Sequence, residues 1–365
     1  MTTEPLVGRP LTEADTPALW VDLDALDHNI ATMAGRCAEA GVDWRPHVKA
    51  SKAPALARGL VDGGAVGITC AKVSEAEAMA GGGIVDILIA NEVVGPLKIA
   101  RLVALAGRAS VCVAVDDERN IGEISAAAVA AGVRVDMLVD INVGANRCGV
   151  TPERALDLAR LVIDLPGVGF RGLMGYEGHV MGMQPEDKEA ESARAADILR
   201  RARDILAAEG IEPSVVSGGG TGNYWIAASL GALTELQAGG GVLMDLSYRD
   251  GMKVPGHRQA LFLDAQIVST AVPGRAIADA GWKATGMHTG LPAVVSHAGV
   301  RVLRLNAEHT ILELTEGAPT LVPGERITLV PHYSDSTVLL HRQMYAVRGG
   351  VIEAVWPITA AGMLQ

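Results

Sequence analysis

The sequence has few cysteines, no long apolar run and fewer basic than acidic residues. Its four cysteines, Cys37, Cys70, Cys112 and Cys148, form no CxxC pair and match no zinc module, so we expect reduced thiols. No run of about 18 uncharged apolar residues occurs, and the N-terminal residues lack a basic region followed by an apolar core. The sequence therefore predicts no membrane span, no signal peptide and a cytoplasmic location.

The charge balance is acidic, with 42 Asp and Glu residues against 31 Lys and Arg and a net charge of −11. Such a surface repels the phosphates of nucleic acids and of anionic membranes, so neither is predicted as a partner. A small anionic cofactor remains compatible, because a few local cations and backbone N–H groups are enough to hold a phosphate.

Short apolar runs alternate with helical, Ala- and Leu-rich segments through most of the chain. The runs lie at 43–49, 66–72, 86–92, 110–117, 134–142, 170–178, 213–220 and 235–241. Strands that alternate with helices are typical of a parallel sheet in an α/β protein. The number and even spacing of the units predict a (β/α)8 TIM barrel, and a doubly wound open sheet is the competing interpretation.

After residue 255 the pattern changes to an alternation of apolar and polar residues. It is found at 265–270, 301–314, 326–331, 337–347 and 351–357, which predicts an antiparallel β domain. Residues 18–26 form one more candidate strand that joins this domain. The predicted organisation is therefore a barrel of residues 25–255 and a β domain of residues 1–24 plus 256–365.

The segment RPHVK (45–49) carries three basic or titratable side chains at the end of the first barrel run. Functional residues of TIM barrels lie at the C-terminal strand ends. Arg45, His47 and Lys49 alternate, so they share one face if the segment is a strand. Lys49 is then a candidate nucleophile toward an aldehyde. The alternative is a structural lysine that extends to solvent or pairs with an acid.

Two glycine-rich segments, SGGGTGNY (217–224) and AGGGVLMD (238–245), follow the last two runs. Glycines at such ends let backbone N–H groups face a phosphate, and TIM barrels commonly bind phosphate near strands 7 and 8. No lysine follows in the P-loop position, which argues against a nucleotide P-loop. A tight turn without a ligand is the alternative for each segment.

Several motifs, in this order, resemble those of the D-threonine aldolase and eukaryotic-type D-serine dehydratase family: TPALWVDLDALDHNI, RPHVKASK, GANRCGV, SGGGTGNY and ELQAGG. The resemblance implies a pyridoxal-phosphate barrel of the alanine-racemase type with a C-terminal β domain. It implies that Lys49 is the Schiff-base lysine, that Arg147 lies near the phenolic oxygen of the cofactor and that Tyr176 lies near its ring. The remaining predicted cofactor and catalytic residues are Ser217, Gly219, Gly220, Thr221, Gln237, Gly239, Gly240 and His47.

The chain departs from the family pattern at three places. Ser51 stands where the family has a second histidine, and Ala361 stands where it has an arginine. In VPHYSDSTV (330–338), Tyr333 occupies the position of the family's metal-binding histidine. Two interpretations follow: either His332 and Asp335 bind a divalent ion such as Mn²⁺ or Zn²⁺, or Tyr333 fills the ligand position, no metal binds, and the phenol acts as a hydrogen-bond donor or acid–base group.

The resemblance implies an aldolase that cleaves D-3-hydroxyamino acids to glycine and an aldehyde. A dehydratase of D-serine or D-3-hydroxyaspartate and a metal-free racemase-type reaction are the alternatives. A non-catalytic cofactor carrier is a further alternative, and the added β domain argues against it. The expected substrate is a small D-amino acid, and the expected assembly is a homodimer.

Overall fold

The computed structural model describes residues 6–365, which form two compact units. One unit comprises residues 6–32, 50–56 and 240–362, and the other comprises residues 33–49, 57–239 and 363–365. Residues 1–5, which the sequence analysis placed in the β domain, lie outside the described residues. The domain boundaries at residues 25 and 255 stay a prediction. Among the described residues, no helix is both long enough and apolar enough to cross a membrane.

The secondary structure of the described residues alternates strands and helices up to residue 236 and consists mainly of strands afterwards. In chain order the elements are β1 (Ala18–Asp22), α1 (Leu23–Ala40), β2 (Asp43–Trp44), α2 (Pro54–Asp62), β3 (Ile68–Cys70), α3 (Val73–Gly81), β4 (Asp86–Glu92), α4 (Pro96–Ala106), β5 (Ser110–Val115), α5 (Glu118–Ala131), β6 (Val135–Asp140), α6 (Pro152–Asp164), β7 (Val168–Gly175), α7 (Pro185–Ala208), β8 (Val215–Gly218), α8 (Tyr224–Ala227), β9 (Glu235–Leu236), β10 (Leu261–Ser269), β11 (Arg275–Ala278), β12 (Ala293–Val294), β13 (Val300–Leu305), β14 (Thr310–Leu314), β15 (Arg326–Val330), α9 (Ser334–Val338), β16 (Gln343–Arg348) and β17 (Val351–Pro357).

The first sheet is the predicted barrel. Its parallel strands run in the order β2-β9-β8-β7-β6-β5-β4-β3, and a parallel bridge between His47 and Thr69 joins the two ends. Apolar side chains such as Ile87, Leu88 and Ile89 are buried on consecutive positions, as expected for strands covered on both faces. Each of the eight predicted runs overlaps one of these strands, so the barrel prediction is confirmed.

Helix ends in the barrel follow the local sequence. Helix α5 begins after Asp117, whose side chain accepts a hydrogen bond from the amide of Asn120, and it ends at Gly132 with a left-handed φ of 65°. A short polar side chain before a helix and a glycine after it are the usual capping residues. Such caps fix the loops that follow the strand ends, where the candidate functional residues lie.

Within residues 6–365, the second sheet contains nine strands, with the main order β13-β14-β11-β10-β1-β16-β17 and with β15 pairing β10 and β12. Strand β1 lies between β10 and β16, so the prediction that an N-terminal strand joins the C-terminal β domain is confirmed. The β1–β16 pair is parallel and the other pairs are antiparallel. The sheet is therefore mixed and not purely antiparallel as predicted.

Three predicted strands are wrong in part. The candidate strand at 18–26 ends at Asp22, because helix α1 begins at Leu23. The run at 43–49 is a strand only at Asp43–Trp44, and Val48–Ala50 form a short 3-10 turn. Pro46 lacks an amide donor, which limits strand pairing there. In the run at 337–347, strand β16 starts only at Gln343, because Ser334–Val338 form the short helix α9.

Candidate cofactor site

The segment that carries Lys49 leaves β2 alongside the chain that follows β9. The amide of His47 donates to the carbonyl of Gln237 at 2.9 Å. Gly239 lies so close to this segment that a Cβ on it would overlap the backbone of His47. The amide of Lys49 donates to Nδ1 of His47 at 3.2 Å, so the neutral His47 ring carries its proton on Nε2. Lys49 therefore lies in the turn after the strand, and not on one strand face with Arg45 and His47 as predicted.

Arg45 is buried and ion-paired. Its guanidinium donates to Glu235 and to Asp86, each at 2.6 Å. The hydroxyl of Ser217 donates to Glu235 at 2.8 Å, and the side-chain amide of Gln237 donates to that hydroxyl at 3.0 Å. The predicted cofactor residues Ser217 and Gln237 thus belong to a buried network with Arg45. The two carboxylates of this network compensate the buried guanidinium charge of Arg45, which would be costly without a partner.

Two predicted site residues converge on the ring of Tyr176, which follows β7. The amine of Lys49 lies 5.9 Å from the ring centroid, and the guanidinium of Arg147 lies 5.9 Å from the same centroid. A third predicted residue, Gly220, packs against this ring, because a Cβ on it would lie 2.9 Å from Cε2 of Tyr176. The structure thus brings together an amine, a guanidinium and an aromatic ring at the strand ends.

The loop after β8 is held by the buried carboxylate of Glu177, to which the sequence analysis assigned no role. Glu177 accepts the amide of Gly219 at 3.2 Å and the side-chain amide of Asn223 at 2.8 Å. Burial raises the pKa of Glu177 above its ordinary value, and the hydrogen bond from Asn223 opposes that shift. The amide of Gly220 donates to Asn223 at 3.2 Å. The amides of Gly219 and Gly220 thus bond within the protein, and their predicted role as phosphate donors stays a prediction.

Lys188 supports the same loop from α7. Its amine is buried, donates to the carbonyl of Gly222 at 2.9 Å and lies 5.6 Å from the ring centroid of Trp225. Burial lowers the pKa of Lys188. Thr221, the predicted hydroxyl ligand of a phosphate, lies inside this loop and is itself buried. The sequence signal for Lys188 was weak, because a lysine near a helix N-terminus is ordinarily exposed.

An acidic cluster lies at the ends of β4, β5 and β6. Donor atoms of Glu92, Asp116 and Cys148 lie within 4.8 Å of one another. Asp140 belongs to the same cluster, since burial and the neighbouring Glu92 raise its pKa, while Arg147 opposes the shift. Three acids that follow neighbouring parallel strands were the available signal, because such ends share one edge of a sheet.

The segment of the predicted metal ligands lies in the other unit, between β15 and α9. The hydroxyl of Tyr333 donates to Oδ2 of Asp335 at 3.0 Å. The ring of His332 instead meets the hydroxyl of Thr289, with 2.7 Å between that oxygen and Nδ1. Gly240, predicted as a phosphate ligand, packs in this unit against Tyr248, whose ring a Cβ on Gly240 would overlap.

Comparisons with known proteins agree with this fold. Residues 21–246, more than half of the chain, match the family described as alanine racemase, N-terminal domain, and residues 260–347 match a serine dehydratase domain family. The chain therefore belongs to the alanine racemase N-terminal domain family. Enzymes of this kind use pyridoxal phosphate, so the cofactor part of the prediction has support from the family.

Individual relatives match almost the whole chain. The chain is 40% identical to a D-threonine aldolase from Arthrobacter sp over 97% of its length and 95% of the relative. It is 39% identical to a 3-hydroxy-D-aspartate aldolase from Paracoccus denitrificans (strain Pd 1222), over 98% of this chain and 95% of the relative. The crystal structure of D-threonine aldolase from Filomicrobium marinum superimposes with a TM-score of 0.94 at 40% identity, covering 98% of this chain and 99% of that one.

The residues around Tyr176 fit pyridoxal phosphate. The cofactor carries an aldehyde, a phenolic oxygen and a phosphate, which need an amine, a cation and a glycine-lined approach. Lys49 offers the amine and Arg147 offers the cation, both within reach of the same ring. Gly220 lets the backbone of the loop after β8 approach the Tyr176 ring, because a Cβ at this position would lie only 2.9 Å from Cε2 of the ring. The fit rests on the chemistry of these groups.

Proposed function

We propose that this protein is a pyridoxal-phosphate-dependent aldolase that cleaves D-3-hydroxyamino acids to glycine and an aldehyde. The observation that carries the proposal is the convergence of Lys49 and Arg147 on Tyr176, in a chain that resembles D-threonine aldolases over nearly its full length. Bound pyridoxal phosphate supplies an electron sink for the pair released when the Cα–Cβ bond breaks.

The side chains of this chain have separate roles in that proposal. Lys49 would hold the cofactor covalently through its amine. Arg147 would supply the positive charge for the cofactor's phenolic oxygen, because a guanidinium stays charged at any working pH. Tyr176 would offer its ring to the cofactor, and its phenol can donate or accept a proton. His47 accepts the Lys49 amide on Nδ1, which holds its ring beside the lysine backbone.

Lys49 can be tested without turnover. Borohydride reduction of the holoenzyme should attach the cofactor permanently to one peptide, and mass spectrometry should locate it at Lys49. The Lys49→Ala protein should take up no covalent label under the same conditions. A label recovered on another lysine of the wild-type chain would show that the assignment is wrong.

The reaction type is tested by product analysis with D-threonine and with 3-hydroxy-D-aspartate. The proposal predicts glycine together with acetaldehyde from the first substrate. Formation of 2-oxobutanoate would identify a dehydratase, and an epimerised amino acid would identify a racemase-type reaction. Tight cofactor binding without any product would indicate a carrier.

Three finer predictions accompany the proposal. We expect the protein to be a homodimer and to lie in the cytoplasm. We expect its substrate to be a D-amino acid, and the relative rates with the two test substrates would show which side chain the enzyme prefers. The homodimer is supported by large apolar side chains exposed in the unit that contains the second sheet, among them Trp282 and Met287. The metal prediction concerns the same unit and depends on the geometry of residues 331–338.

A further inference from the structure

The backbone of residues 331–338 is fixed by hydrogen bonds within its own unit. Asp245 accepts the amide of Ser334 at 2.7 Å and the amide of Tyr248 at 2.8 Å. The hydroxyl of Thr337 donates back to the carbonyl of Tyr333 at 3.0 Å. Tyr333 has extended backbone angles, φ −142° and ψ 122°, immediately before helix α9. These bonds fix the direction in which each side chain of the segment leaves the backbone.

Tyr333 and Asp335 face each other. The phenol hydroxyl donates to Oδ2 of Asp335 at 3.0 Å, and the phenol ring is flanked by Tyr248 and His288, each with a centroid separation of 6.1 Å. The side chain two residues before Asp335 is therefore the one beside its carboxylate. A histidine at position 333 would leave the backbone in the same direction and place its ring on the same side as the Asp335 carboxylate.

His332 points to a different set of neighbours. Its Nδ1 is bonded to the Thr289 hydroxyl, and a Cβ on Gly290 would lie 2.5 Å from its Nε2. Among the described residues, the three-membered group of potential metal ligands with converging donor atoms lies at the barrel strand ends, and it includes neither His332 nor Asp335.

The chemistry of the pair does not fit a divalent ion. A metal ligand must direct a lone pair at the ion, whereas the Tyr333 hydroxyl directs its proton at Oδ2 of Asp335, the carboxylate that would have to bind the ion. We propose that this chain has a phenol–carboxylate pair, Tyr333 and Asp335, where the family resemblance implies a divalent-metal site, and that the single change Tyr333→His creates a metal site. The pair offers a hydrogen-bond donor and an acceptor in place of a Lewis acid.

The test is titration of the purified holoenzyme with Mn²⁺, followed by calorimetry and by the loss of the free-ion electron paramagnetic resonance signal. Wild-type protein and His332→Ala should bind no Mn²⁺ at the segment. Tyr333→His should gain one bound Mn²⁺ per chain, and Tyr333→His combined with Asp335→Asn should lose it. Tyr333→Phe is the matched control, because it removes the hydroxyl without adding a ligand, and it should bind no Mn²⁺.

Two results would overturn the proposal. One is Mn²⁺ binding by the wild-type chain that disappears in His332→Ala or Asp335→Asn. The other is a folded Tyr333→His protein, with wild-type circular dichroism, that binds no Mn²⁺. If Tyr333→His does not fold, the wild-type and His332→Ala titrations still decide whether the native segment binds metal. The experiment measures ion binding and not turnover. A failure of this proposal can therefore be distinguished from a failure of the aldolase proposal.

Discussion

Asp140, the last residue of β6, is a buried carboxyl among other acids. Only 6% of it is exposed, and burial raises its pKa from 3.8 to about 8, with Glu92 and Asp116 adding to the shift. A raised pKa means that the folded protein keeps this proton over a range in which the unfolded chain has lost it. Ionisation of Asp140 at higher pH therefore costs the folded state free energy.

The sign of the resulting pH dependence is fixed. Between about pH 4 and about pH 8 the folded state binds more protons at this group than the unfolded state, so the free energy of unfolding falls as pH rises. Asp140→Asn mimics the protonated form and removes this dependence. We expect the melting temperature of Asp140→Asn, relative to wild type, to be higher at about pH 8 than at about pH 5. Parallel melting curves of the two proteins across that range would show that Asp140 ionises normally.

A second residue-scale prediction concerns Glu177. Its two carboxylate oxygens accept from Gly219 and Asn223, and glutamine offers one acceptor where two are used. Glu177→Gln should therefore loosen the loop after β8 and weaken cofactor binding about tenfold, the effect of leaving one buried donor unsatisfied. Equilibrium dialysis of pyridoxal phosphate measures it. Glu153→Gln, at an exposed carboxylate, is the control and should leave the affinity unchanged.

The positions of some site residues could be predicted from the sequence, and those of others could not. Lys49, Arg147 and Tyr176 follow three different barrel strands, and the strand-end rule alone predicts that they meet. The burial of Arg45 was not predictable, because its partners Asp86 and Glu235 are 41 and 190 residues away in the chain. Alternation along a strand predicts on which face a side chain lies. It does not predict whether a carboxylate from elsewhere in the chain lies on the same face.

At the scale of elements, Gly239 controls the course of the segment that carries Lys49. A Cβ on Gly239 would overlap the backbone of His47, and backbone atoms cannot move aside as a side chain can. Gly239→Ala should therefore lower the free energy of unfolding by about 3 kcal/mol, the upper end of the overpacking range. Urea denaturation measures it.

Gly122 supplies the matched control for that experiment. It lies inside helix α5, and a Cβ on it would meet nothing within 4 Å. Gly122→Ala should leave the protein unchanged or stabilise it by up to about 1 kcal/mol, because alanine is the better helix former. Equal losses in both alanine variants would mean that the close approach at Gly239 has no special weight.

The barrel strands were predictable because they are apolar on both faces and bounded by helical segments. The exceptions are places where a residue far along the chain decides the local structure. Helix α9 interrupts an alternating run because Asp245, 89 residues earlier, accepts the amide that starts it. In the same way, β1 joins β10 and β16 as a central strand, and the parallel pairing with β16 follows from the fold and not from local alternation.

At the scale of the whole molecule, the exposed apolar side chains of the surface bear on the predicted homodimer. Single exposed apolar residues are normal on a soluble protein. In the unit with the second sheet, however, Trp282, Met287 and Val295 are 45%, 49% and 48% exposed within one stretch of chain. Tryptophan and methionine are enriched at protein–protein interfaces, where their large apolar area is covered by a partner.

We therefore expect light scattering coupled to size-exclusion chromatography to give twice the mass of the chain for the wild-type protein. Trp282→Asp places a charge in the proposed interface, where its desolvation is costly, and should shift the protein toward the monomer at low concentration. Leu97→Asp is the control: Leu97 is 82% exposed on α4 of the barrel unit, and its replacement should leave the dimer intact. A monomeric wild-type protein contradicts the homodimer itself. A dimer that persists in Trp282→Asp and dissociates in Leu97→Asp would instead place the interface on the helical surface of the barrel.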